Sequence, residues 1–102
     1  MEGTPTKDEK LAELLAYFQE QRPEYKVTSR WAPIDKGATR FDFVKGKTHF
    51  ILDLTDNLVD DFSASEVKKR LENAKWWAVL QSDPAPAIAT LSSKGFSKRM
   101  PP

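Results

Sequence analysis

The chain predicts an α+β domain: a two-layer sandwich in the order α-β-β-β-α-β(-β), with an antiparallel meander covered by helices on one face. Three observations predict it. Apolar residues recur at helical spacing near the start, at Leu11, Leu14, Leu15 and Phe18. The period then drops to two between Tyr25 and Leu54, in three segments split by Pro33 and by Lys45-Gly46. After Leu54 a second helix-start signal, Ser63-Ala64-Ser65-Glu66, restores a helical pattern.

The first helix should begin at Thr6-Lys7-Asp8-Glu9, where the Thr6 hydroxyl and the Glu9 carboxylate can each satisfy a backbone N–H of the opening turn. Pro23 disfavours helical geometry at Arg22, so the helix should end by there. In the first strand Tyr25, Val27, Ser29 and Trp31 share the face toward the core, and Lys26, Thr28 and Arg30 share the other.

Asp35-Lys36-Gly37 turns the chain into a second strand, with Thr39, Phe41 and Phe43 inward and Arg40, Asp42 and Val44 outward. Lys45-Gly46 is expected as the next turn, pairing Val44 with Lys47, Asp42 with His49 and Phe41 with Phe50. The third strand puts Thr48, Phe50, Leu52 and Leu54 on the core face and Lys47, His49, Ile51 and Asp53 on the other.

Beyond an acidic connection ending at Asp60-Asp61, the second helix carries Val67, Leu71 and Ala74 inward. Trp76-Trp77-Ala78-Val79-Leu80 reads as a short buried strand, Asp83-Pro84-Ala85-Pro86 as a turn, and Ala87 to Leu91 as an edge strand. The domain is expected to occupy residues 1–91, with 1–6 flexible, and residues 92–102 to form a basic, mobile tail.

Composition narrows the function classes. Sixteen basic and fifteen acidic residues leave a net charge of +1, so any attraction to nucleic acid must come from a local patch. The lack of cysteine excludes disulfides, thiolate catalysis and iron–sulfur clusters, and a single histidine excludes a multi-histidine metal site in one chain. The polar first ten residues are unlike a signal peptide, and no apolar run approaches the ~20 residues of a membrane helix. A soluble, cytoplasmic protein without membrane contact is the expectation. The four glycines form no phosphate-cradling loop, so no nucleotide cofactor is expected.

Several constellations remain. The outer face of the meander collects Lys26, Arg30, Arg40, Lys47 and His49, and the tail adds Lys94, Lys98 and Arg99; together they suit a phosphate backbone. Asp42 and His49 form a cross-strand pair, but no hydroxyl nucleophile is placed to use it. Asp42 and Asp53 invite a nuclease-like magnesium site, yet the expected register holds them four positions apart, on the order of 13 Å, and Asp53-Leu54-Thr55 lacks a lysine. The acidic connection lacks the glycine and terminal glutamate of a calcium loop. Adjacent on a strand, Trp76 and Trp77 point to opposite faces: one belongs to the core, and the other to the tail, a helix, a partner interface or a base-stacking site, unless the two helices bury both.

The expected function is a small non-catalytic binding module for nucleic acid, acting through the basic sheet face and without cofactor or metal. Two alternatives stand beside it. One is a protein-interaction or homodimeric adaptor domain using an exposed tryptophan and an edge strand; the other is a divergent metal-dependent nuclease.

Overall fold

Local rules set both principal helices. In the computed structural model, Glu9 N donates to the Thr6 hydroxyl at 3.1 Å and Thr6 N donates to the Glu9 carboxylate at 2.8 Å, opening α1 (Lys7–Gln21). The same reciprocal pair, Ser63 with Glu66, opens α3 (Ala64–Asn73). Both capping boxes lie where the sequence puts them. The structure describes residues 6–33, 37–82 and 88–99. The terminal residues 1–5 and 100–102, Asp35 and Lys36 of the first turn, and the Asp83-Pro84-Ala85-Pro86 turn with Ala87 lie outside them.

The remaining elements are β1 (Lys26–Ala32), β2 (Ala38–Lys45), β3 (Thr48–Thr55), α2 (Asp56–Asp61), α4 (Trp76–Leu80), β4 (Ile88–Ser92) and β5 (Gly95–Arg99). They make the predicted α+β order, with two short helices added around α3. The sheet has five strands in sequence order, antiparallel throughout except for the β3–β4 pair, which is parallel.

Four details correct the sequence reading. The β2–β3 turn is Gly46-Lys47, with Gly46 at φ 58 in its first central position, the place a type II′ hairpin reserves for glycine. Lys45 therefore pairs with Thr48, Val44 with His49, Asp42 with Ile51 and Arg40 with Asp53. The segment Trp76–Leu80 is a helix, not a strand, and it follows Lys75, which ends α3 in the left-handed conformation. Within the expected tail, Gly95–Arg99 forms β5 against β4.

One sheet face carries the core. Phe18 on α1 packs edge-on against Phe41 and Trp76, with ring centroids 4.9 and 5.0 Å apart. Leu52 and Leu54 on β3, Leu58 and Val59 on α2, Val67 and Leu71 on α3, and Ala89 and Leu91 on β4 complete the buried cluster. Burying side chains of this kind contributes roughly 1.5–3 kcal/mol each before the entropy cost of ordering them. Trp31 shares this face by alternation, yet it stays 62% exposed.

Candidate nucleic-acid interface

Because strands alternate, covering one sheet face with helices leaves the other to solvent. Lys26, Thr28 and Arg30 of β1, Arg40 and Asp42 of β2, His49, Ile51 and Asp53 of β3, Thr90 of β4 and Arg99 of β5 line that open face. None of these side chains is a phenylalanine, tyrosine or tryptophan.

Register builds two charge clusters there. Directly across the β2–β3 ladder, the Arg40 guanidinium donates to both Asp53 carboxylate oxygens, at 2.9 and 3.0 Å. Asp53 lies on the central strand between Arg40 and Thr90 and has no exposed surface, so the bidentate arginine takes the place of water around its two oxygens. The hydrogen bonds to Asp53 raise the Arg40 pKa above its ordinary value.

One ladder row away, Asp42 accepts from Arg30 Nε at 3.0 Å on one oxygen and meets His49 Nε2 at 2.8 Å on the other. Burial pushes the Asp42 carboxyl up, but the hydrogen bonds and charges of Arg30 and His49 outweigh it and hold the pKa below the usual carboxylate value. Arg30 and His49 keep about half of their side-chain surface exposed. The Asp42–His49 contact expected from sequence is therefore present as a diagonal between neighbouring ladder rows.

The same register brings Asp42 and Asp53 closer than expected, two positions apart, or about 7 Å. Each carboxylate is held by its own arginine, and among the described residues no group of three or more His, Asp or Glu side chains is placed to hold a metal ion.

The other expected contact residues divide. Lys26 and Arg99 lie on the open face and have no ion-pair partner among the described residues. Lys98 pairs with buried Ala89 and so belongs to the helix side. Lys47 and Lys94 occupy the β2–β3 and β4–β5 turns, at opposite ends of the sheet.

Of the alternatives for Trp76 and Trp77, burial of both is the one found, at 4% and 9% exposure. On a helix, neighbours are about 100° apart and can share a core. Trp76 packs against Phe18 and Phe43, and Trp77 against Tyr25 and Phe50.

Sequence reasoning missed two features. Exposed Trp31 could have been suspected from Pro33, which ends β1 two residues later. Stacking of the Arg22 guanidinium on Trp77, 4.3 Å from the ring centroid, had no sequence signal, because it depends on where α4 docks.

Compared with protein-family models, curated proteins and solved structures, the chain has no significant match in any of the three. No helix among the described residues is long and apolar enough to cross a membrane.

Proposed function

We propose that the chain is a non-catalytic nucleic-acid-binding module whose open sheet face tracks a phosphate backbone. The supporting observation is a segregation of charge invisible in the net value of +1. The five strands and two hairpin turns hold eight lysines and arginines against two aspartates, whereas the four helices hold nine acidic residues against five basic ones. Of these basic residues Lys26, Arg30, Arg40 and Arg99 have the open-face parity, with Lys47 and Lys94 in the turns at its two ends, a local patch that favours a polyanion.

Contact would run across the strands, from Lys26 and Arg30 on β1 through His49 on β3 to Arg99 on β5, with Arg40 closed on Asp53 between them. Four inter-strand steps span about 19 Å, room for several successive phosphates. With no phenylalanine, tyrosine or tryptophan on this face, base stacking has little platform, so a duplex backbone is the favoured ligand and little sequence preference is expected. Such a module would act inside the cell, in keeping with the cytoplasmic reading of the sequence.

Amide NMR titrations with short single- and double-stranded DNA and RNA, at low and moderate salt, test the reading. Shifts should centre on residues 26–30, Arg40, His49 and Arg99, favour duplex and shrink as salt rises. Lys26→Ala/Arg30→Ala should lower the salt slope by about 2. No shift with any nucleic acid would end the proposal.

A second reading rests on Trp31, exposed at the end of an edge strand. An aromatic-centred protein interface or homodimer there would be far less sensitive to salt.

A further inference from the structure

On the far side of the molecule from the sheet face, the end of α1 meets the α3–α4 junction around an open cleft of ≈ 400 Å³. Tyr17, Arg22, Glu72, Lys75, Trp77 and Gln81 are among its lining residues. Two independent features converge in it.

The first is Arg22. Pro23 ends α1 immediately after it, and its guanidinium lies on the Trp77 ring at 4.3 Å. No carboxylate among the described residues pairs with it, and its buried Nε has no hydrogen-bond partner. Glu72, the nearby acid, accepts a hydrogen bond from the Tyr17 hydroxyl at 3.1 Å. A guanidinium held flat by an aromatic ring while its donors go unused is preorganised for an incoming oxyanion.

The second is Lys75. Among the described residues it is the one non-glycine residue with positive φ, at φ 54 and ψ 53. Glycine or asparagine is the usual choice at a helix end of this geometry, and a lysine there is strained. The cleft thus takes a lysine at a position where backbone energetics favour glycine.

We propose that this cleft binds a small organic oxyanion, a carboxylate or phosphate monoester on a flat apolar body. Arg22 supplies paired donors, Lys75 a second positive charge, and the Tyr17 ring the apolar wall, while Trp77 backs the guanidinium. The site is separate from the sheet face and stands whether or not that face binds nucleic acid.

Benzoate and phenyl phosphate, which carry the two head groups on one ring, serve as probes. Binding is followed by tryptophan fluorescence in a Trp31→Phe background and by the Arg22 Nε–H and indole N–H resonances. At least one probe should perturb both readouts saturably, and the preferred one identifies the head group. Arg22→Lys, which keeps the charge and loses the planar fork, should weaken binding about tenfold. Lys75→Gly should weaken it severalfold while raising the melting temperature, because glycine relieves the left-handed strain. Unperturbed near-ultraviolet circular dichroism confirms that each variant is folded. Absence of saturable binding by either probe, equal affinity in Arg22→Lys, or shifts confined to Lys26, Arg30 and Arg99 would overturn the proposal.

Discussion

Two charge clusters sit one ladder row apart on the same sheet face, and they are built for opposite ends. Arg40 and Asp53 close on each other: the carboxylate is fully buried, both its oxygens are taken, and only 16% of the arginine side chain reaches solvent. Arg30, Asp42 and His49 stay open, with the carboxylate inside and both cations facing outward. The central position of Asp53 leaves it no water, whereas the edge position of β1 leaves Arg30 free to exchange partners. Sequence distance does not separate the clusters; place in the sheet does.

The largest expected effect tests whether the closed pair is structural. Asp53→Ala strands a buried guanidinium and should lower unfolding stability by about 3 kcal/mol in urea melts, with an unchanged m-value. Asp42→Ala should cost less, about 1 kcal/mol, since Arg30 can turn to solvent. Equal costs would erase the distinction between the clusters.

The pH dependence sharpens it. The folded Asp42 carboxyl lies below its unfolded value, so its contribution is complete above the unfolded carboxyl's pKa of about 3.9 and is lost as pH falls through the folded value. Asp42→Asn should flatten that acid limb in melting-temperature scans.

The smallest effect is expected outside both clusters. Trp31→Ala should change stability by no more than about 0.5 kcal/mol. A large loss would mean that Trp31 is covered in solution, which would favour association through β1.

What was legible in the sequence depended on how local each determinant was. The capping boxes at Thr6 and Ser63 are complete within four residues and were readable. So were the faces of β1 to β3, because alternation survives a register error of two. The same parity hid the β2–β3 register: Lys45-Gly46 and Gly46-Lys47 both put phenylalanines inward, and only the glycine's preferred turn position separates them.

Trp76–Leu80 misled because a five-residue apolar run has no period to read. Its helical form depends on Lys75 turning left-handed and on a pocket formed by Phe18, Phe43, Tyr25 and Phe50. The basic face was legible as a list of residues. Its division into closed and open clusters was not, since that follows from the strand neighbours of Asp53.

The parallel joint between β3 and β4 carries a consequence for synthesis on the ribosome. The meander pairs neighbours in sequence and can assemble as soon as residue 55 has emerged. β4 joins only after residues 56–87 have been made. During that interval β3 is an unpaired edge whose Leu52 and Leu54 face inward, open to any extended strand nearby. A nascent chain stalled in this window would be the form most exposed to misassembly and to chaperone capture.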